Sequence, residues 1–157
     1  MGKIKTYVIS IAISLGVGLT SAYITRGGMG IYSEVNVPPL SPPSFLFPIV
    51  WTLLFILMGI SAAMVYNNTS ASTEQKKRAL KTYAISLILN FTWSIIFFNL
   101  RAFSLAFVWL ILLLTFIIKT ILQYKEISPL AAYLQIPYAI WVTFAGYLTL
   151  GIAVLNS

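Results

Sequence analysis

Five stretches of nearly unbroken apolar residues, each close to twenty residues long, decide what this chain can become. They run over residues 7–25, 45–66, 82–100, 103–122 and 130–155. A helix needs about 20 residues to cross the hydrocarbon core of a bilayer, and inside that core only helices and closed barrels satisfy their own backbone groups. The expected fold class is therefore an all-α integral membrane protein, a five-transmembrane-helix bundle. Composition agrees: 59% of the residues are apolar and 8% charged, against roughly a quarter charged in a soluble domain. The 157 residues fit a single membrane domain spanning residues 1–157, with the bilayer covering what a larger soluble core would bury. Lys3 and Lys5 precede the first apolar run as they would in a secretory signal. That run is longer than the apolar centre of such a signal, and no small-residue cleavage site precedes a soluble domain, so it reads as a retained first helix.

The breaks between spans differ in chemistry. The first is Arg26-Gly27-Gly28-Met29-Gly30 followed by a proline-rich stretch, the second the polar and charged 67–81, the third Arg101 alone, and the fourth Lys125-Glu126-Ile127-Ser128-Pro129. With the N-terminus inside, Lys3, Lys5, Lys76, Lys77, Arg78, Lys81, Lys119 and Lys125 fall at cytoplasmic ends, and only Arg26 and Arg101 at external ones. That asymmetry obeys the positive-inside rule and puts the C-terminus and the long first loop outside. The net charge of +7 is thus a topology signal and calls for no nucleic acid. At Lys76–Lys81 a solvated loop is the first reading and an anionic-lipid contact the second.

What the chain lacks narrows its chemistry. It has no Cys and no His, which removes disulfides, thiolate nucleophiles, imidazole ligation of a metal and His-based proton transfer; no metal site is expected. Glu34, Glu74 and Glu126 all fall in loops, whereas ion-coupled transporters keep ionisable groups at depth. Conventional acid–base or hydrolytic catalysis within the membrane has no group to use.

The groups at depth are neutral and aromatic. Asn90 lies near the middle of the third span, with Trp93 three residues on and Ser86 and Ser94 a turn to either side. In hydrocarbon its amide must find a partner, either another helix or a ligand, and spacing alone leaves both open. Trp51 lies about two turns into the second span with Phe47 and Phe55 a turn away; position alone favours a packed or interfacial aromatic over a ligand wall. In the fifth span Pro137 removes a helical hydrogen bond, and Tyr138, Trp141 and Ala145 come next on one face, either a slot for a flat molecule or a helix contact. Ser14, Gly18 and Ala22, with Ala12 and Gly16 alongside, form a small-xxx-small pattern that permits close packing within the monomer or between protomers. The prolines of Pro38-Pro39-Leu40-Ser41-Pro42-Pro43 fix an extended path just before the second span, which either ends a loop or covers the outer mouth of the bundle.

Three segments, PPLSPPSFLFPIVWTLLFILMG (residues 38–59), LNFTWSIIFF (89–98) and SPLAAYLQIPYAIWVTFAGYL (128–148), resemble the TspO/MBR family in sequence and order. The family comprises bacterial TspO proteins and the mitochondrial translocator protein, or peripheral-type benzodiazepine receptor. The resemblance covers almost the whole chain. It implies a five-helix bundle, a homodimer, and a pocket covered by the first loop, residues 26–43. It also implies binding of porphyrins and of benzodiazepine- and isoquinoline-type ligands, with light-dependent breakdown of protoporphyrin in some bacterial members. By motif position, Trp51 and Trp141 correspond to the tryptophans implicated in that breakdown. Tyr32, Pro42, Phe55, Asn90, Trp93, Tyr138 and Ala145, with both tryptophans, correspond to pocket positions. The chain departs from the family where tryptophans are usual but Leu40 and Phe45 stand, and where Thr149 comes after Leu148 in place of Leu-Asn. No basic residue lies beyond Tyr147, so the Tyr-to-basic sterol motif of animal relatives is incomplete.

The leading functional expectation is a bacterial cell-membrane protein that binds a tetrapyrrole such as protoporphyrin, with no covalently bound cofactor and the porphyrin as ligand or substrate. Breakdown would be photochemical, with reactive oxygen forming beside tryptophan. A facilitative transporter of porphyrins or other apolar ligands and a ligand-modulated scaffold are the alternatives. The charge asymmetry makes a first prediction: reporter fusions at Ser157 and within residues 67–81 should report opposite sides of the membrane. Reports from the same side would disprove the five-span count.

Overall fold

The computed structural model describes residues 2–28 and 30–156, and for Tyr32 the backbone but not the side chain. It is all helical among these residues, with five helices long and apolar enough to cross a membrane: α1 (Lys3–Ile24), α2 (Leu46–Asn67), α3 (Thr73–Ser94, continuing as a π-helix over Ile95–Asn99), α4 (Phe103–Ile127) and α5 (Pro129–Leu155). The chain is an integral multi-pass membrane protein. Short connections at 68–72, 100–102 and 128 turn the chain back on itself, and the helices close a ring in the order α1, α2, α5, α4, α3. One end of the bundle carries the lysine-rich helix ends. The other carries the first loop, which holds a 3₁₀ turn at Arg26–Gly28 and one helical turn at Ile31–Glu34.

Two helix starts are fixed by a serine cap. α3 begins at Thr73, nine residues before the expected 82, because the Ser72 hydroxyl accepts from the Gln75 backbone N–H at 3.1 Å. Ser72-Thr73-Glu74-Gln75 is a capping-box sequence, and Glu74 in the first turn suits the positive end of the helix dipole. The apolar signal fades there because this part of α3 is charged and stands at the membrane surface. Similarly, Ser128 caps α5, accepting from Ala131 N–H, with Pro129 in the first turn where its missing N–H costs nothing. α4 runs five residues beyond the expected 122, to Ile127.

Helices without water between them are held by side-chain hydrogen bonds and small-residue contacts. Ser10 Oγ donates to Gly59 O at 2.7 Å and Ser14 Oγ to Phe55 O at 2.6 Å. Donors and acceptors are each four residues apart, so two bonds fix the register of α1 on α2. Between them the backbones nearly touch: a Cβ on Gly59 would lie 2.6 Å from Ile11 Cα. The small-residue line through Ser14 and Gly18 therefore serves a contact within the chain, with Gly18 under the ring of Phe55. On the far side, Ser61 Oγ donates to Ala131 O and accepts from Gln135 Nε2, tying α2 to α5. Trp109 Nε1 donates to Leu89 O and ties α4 to α3.

Gly59→Ala should separate α1 from α2 and lower stability by about 1–3 kcal/mol, the range for overpacking. Ser10→Ala, which removes one bond but no space, should cost about 0.6 kcal/mol. Thermal unfolding of the detergent-solubilised variants measures both; equal effects would assign the contact to the hydrogen bond and not to the close approach.

Candidate functional site

At the end of the bundle covered by the first loop, four of the five helices enclose a cavity of about 130 Å³. α1 contributes Gly18, Ser21, Ala22 and, at its cap, Thr25; α2 contributes Phe47, Pro48, Trp51 and Phe55. α3 contributes Asn90, Trp93, Ser94 and Phe98, and α5 contributes Trp141, Ala145, Leu148 and Thr149. α4 supplies nothing to the wall and buttresses α3 and α5 from outside.

Aromatic rings crowd this wall in two groups, one around Trp51 and Trp93 and one around Trp141. Trp51 lies 5.8 Å from Phe55, 6.5 Å from Trp93 and 6.4 Å from Tyr138, ring centre to ring centre. Trp93 stacks on Phe97 at 5.1 Å, and Trp141 meets Phe47 at 5.7 Å. These are the offset and edge-on distances at which aromatic pairs attract. The π-helical segment of α3 shapes this wall: it begins directly after Ser94 and carries Phe98 into the lining while Phe97 is fully buried behind it. Insertions of this kind recur where a helix must aim a side chain for function.

Polar atoms at the cavity are few. Asn90 Nδ2 donates to Tyr138 Oη at 2.9 Å, so the amide is partnered within the protein and also faces the cavity. Thr149 and Ser94 turn their hydroxyls back to Ala145 O and Asn90 O. The indole N–H groups of Trp93 and Trp141 are buried without a hydrogen-bond partner. An unmet donor in a dry site costs roughly 1–3 kcal/mol, and an acceptor atom on a bound molecule would recover it.

Six of the nine residues marked by the resemblance line this cavity: Trp51, Phe55, Asn90, Trp93, Trp141 and Ala145. Tyr138 does not line it. It is fully buried behind the wall, where its ring supports Trp51 and its hydroxyl accepts from Asn90. Pro42 also lies off the wall, half-buried in the loop, because the loop is anchored by its neighbours. The side chain of Tyr32 lies outside the described residues. Sequence reasoning missed the α1 contribution and, as wall residues, Phe47, Pro48, Ser94, Phe98, Leu148 and Thr149. Ala22 was visible only as part of a packing motif, and no sequence signal marks the π-helical turn that places Phe98.

The loop is fastened on two sides. A Cβ on Gly28 would lie 2.3 Å from Phe98 O, so the 3₁₀ turn rests directly on the backbone of the π-helical segment. Glu34 pairs with Arg101 at the α3–α4 connection. Across the bundle, Pro38 packs on Gly151, Tyr147 Oη donates to Pro39 O at 2.6 Å, and Asn156 exchanges two hydrogen bonds with the backbone of Asn36. The prolines set the path, and these contacts hold it. Leu40, at φ 70°, is strained and exposed between them.

Residues 10–155 match the profile of the TspO/MBR family. The chain belongs to the TspO/MBR family. Tryptophan-rich protein TspO of Chlorobaculum tepidum is 36% identical over 155 residues, covering 98% of both chains. Protein CrtK of Rhodobacter capsulatus is 33% identical over 88% of this chain and 85% of its own. Translocator protein of Bos taurus is 34% identical over 86% of this chain and 80% of its own. Similarity to bacterial and animal relatives thus extends over nearly all of the bundle that forms the cavity.

The double fastening predicts how the loop opens. Tyr147→Phe and Asn156→Ala together remove three hydrogen bonds from the α5 side and should raise limited-proteolysis rates within residues 27–30 severalfold. Saturating ligand should slow cleavage of the unmodified protein. Cleavage unchanged in both comparisons would show that the α5 contacts do not hold the loop.

Proposed function

We propose that this protein binds a tetrapyrrole, with protoporphyrin the leading candidate, in the cavity under the first loop, and promotes its light- and oxygen-dependent degradation. The observation that carries this reading is a wall built from Trp51, Trp93 and Trp141 in which two buried indole N–H groups lack partners. Flat rings gain stacking area against such a wall, and carboxylate, carbonyl or ring-nitrogen atoms accept from the indoles. The same features suit benzodiazepine- and isoquinoline-type molecules, which are aromatic and carry acceptors.

At about 130 Å³ the cavity is close in size to the ~150 Å³ void that takes up benzene, and smaller than the roughly 300 Å³ at which ligand pockets begin. A macrocycle therefore enters by displacing the loop or parting α1 from α2, and the bound state is more open than the free one. Once bound, the porphyrin absorbs light and passes energy to dissolved oxygen. The reactive oxygen forms within the cavity, next to Trp51 and Trp141, whose indoles are readily oxidised. The protein's part is to bind and orient the ring, exclude water and present the indoles.

Transport is the second reading, prompted by the name Translocator protein borne by the bovine and human relatives. Below the cavity the bundle is filled by Met58, Tyr124 and the Ser61–Gln135 pair, so a crossing ligand must rearrange the core or leave sideways into lipid. Orientation with the N-terminus cytoplasmic, residence in a bacterial cell membrane and homodimer formation belong to the same proposal.

Purified protein titrated with protoporphyrin in the dark and then illuminated separates binding from photochemistry. Trp51→Phe and Trp141→Phe keep a stacking face, so dark affinity should fall by about 0.5–1.5 kcal/mol. Loss of the porphyrin absorbance under light should slow far more. Asn90→Leu should weaken carbonyl-bearing ligands and also leave the Tyr138 hydroxyl unmet, lowering stability by about 1–3 kcal/mol. Tyr138→Phe relieves the second effect and isolates the first. Degradation at the unmodified rate in both tryptophan variants would reduce those residues to pocket walls and end the photochemical reading.

A further inference from the structure

At the lysine-rich end of the bundle, an apolar groove opens on the outer surface between α1, α2 and α3. Ile9 and Ile13 of α1, Ala62 and Ala63 of α2, and Leu80 and Tyr83 of α3 line it, with a volume of about 350 Å³. It does not connect to the tryptophan-lined cavity, with which it shares no residue. Toward the membrane surface it runs into a second hollow of about 410 Å³, lined by Tyr66, Thr73, Lys76, Lys77 and Leu80. Tyr66 and Leu80 belong to both, so the two form one continuous trough, apolar below and basic above.

We propose that this trough holds one anionic phospholipid of the surrounding leaflet, its phosphate at Lys76 and Lys77 and an acyl chain along Ile9, Ile13 and Leu80. The charge pattern selects this occupant. Lys76 gives two of its N–H groups to Tyr66 O and Asn68 O at the end of α2, at 3.2 and 2.8 Å, which fixes its ammonium at the rim with a third N–H to offer. Lys77 is exposed, and neither lysine pairs with a carboxylate among the described residues; Glu74, a turn before Lys77, pairs with neither. The start of α1 adds Lys3 and Lys5 beside this rim, since Asn67 Nδ2 donates to Lys3 O. Cations gathered at headgroup level attract phosphate.

The depth fits the same molecule. Leu80 and Tyr83 lie four and seven residues after Lys76, so the apolar floor lies about 6–10 Å further into the membrane at about 1.5 Å per residue. A headgroup anchored at the rim thus places its acyl chain in the groove. The exposed Ile9, Ile13 and Tyr66 leave the groove open sideways to lipid, so a phospholipid enters without crossing the protein.

The test uses the full chain in mild detergent, titrated with dioleoylphosphatidylglycerol or dioleoylphosphatidylcholine, with retained lipid counted by native mass spectrometry. One phosphatidylglycerol should be retained in preference to phosphatidylcholine. Lys77→Gln should weaken phosphatidylglycerol by about fivefold, the worth of one basic residue at a charged membrane surface, and leave phosphatidylcholine unchanged. Lys125→Gln, an equal charge change at the end of α4, should have no effect. Ile13→Trp, which fills the groove, should weaken both lipids. Equal retention of the two lipids overturns the proposal, as does an equal loss from Lys125→Gln, which would mean a diffuse field and no site. Disulfide cross-linking of an Ile13→Cys variant to a second copy in membranes would overturn it too, assigning the groove to a protein contact.

Discussion

A polar atom inside hydrocarbon has nothing to bond to except protein, and the architecture of this chain derives from that constraint. It forces the backbone into helices and sends the serines of α1 to carbonyls of α2. It also makes the exceptions informative. Ser10, Ser14, Ser61 and Asn90 all find partners across helices. The indoles of Trp93 and Trp141 do not, and they stand at the wall of the cavity. The Tyr83 and Tyr124 hydroxyls and the Gln123 and Gln135 side-chain oxygens also lack partners, but the two indoles are the ones that stand at this cavity, and an unpaired donor beside empty space points to what the space is for.

The two ends of the molecule divide the work. The half under the first loop carries the cavity, the aromatic cluster and the loop fastenings. The lysine-rich half carries the tight helix contacts, the Ser61–Gln135 pair and the basic trough. The first loop couples four of the five helices. It leaves α1 at Thr25 and enters α2 near Phe47, both cavity-lining residues, and between them it is fastened to the α3–α4 connection and to α5. A guest that widens the cavity therefore pushes apart helices that the loop ties together.

Hydropathy made the five spans legible, because a helix that faces lipid has few polar residues to spare. It failed at the start of α3, where Lys76, Lys77, Arg78 and Lys81 hid a helix that the Ser72–Gln75 cap announces. The candidate wall was half legible. Trp51, Asn90 and Trp141 stood out as polar or aromatic groups at depth, but their convergence came from the motif resemblance and not from spacing. Tyr138 shows why spacing is insufficient: it shares a helical face with Trp141 and Ala145, yet it turns into the core toward Asn90. Ala22 and Thr25 were invisible as wall residues because small side chains line a cavity by leaving room, and a sequence does not record room.

The π-helical turn at Ile95–Asn99 makes the phase of the wall depend on one local hydrogen-bond pattern. It fits one more residue into its turn than an α-helix would, and that surplus sets the angular position of every residue after it. Relaxation of the turn to ordinary α geometry with all its residues kept would rotate the end of the helix by about 100°. Phe98 would leave the wall, the carbonyl beneath Gly28 would move from under the loop, and Arg101 would swing away from Glu34. An ordinary substitution in this segment changes one side chain, whereas loss of the π turn shifts the phase of the wall, the loop seat and the entry into α4 at once.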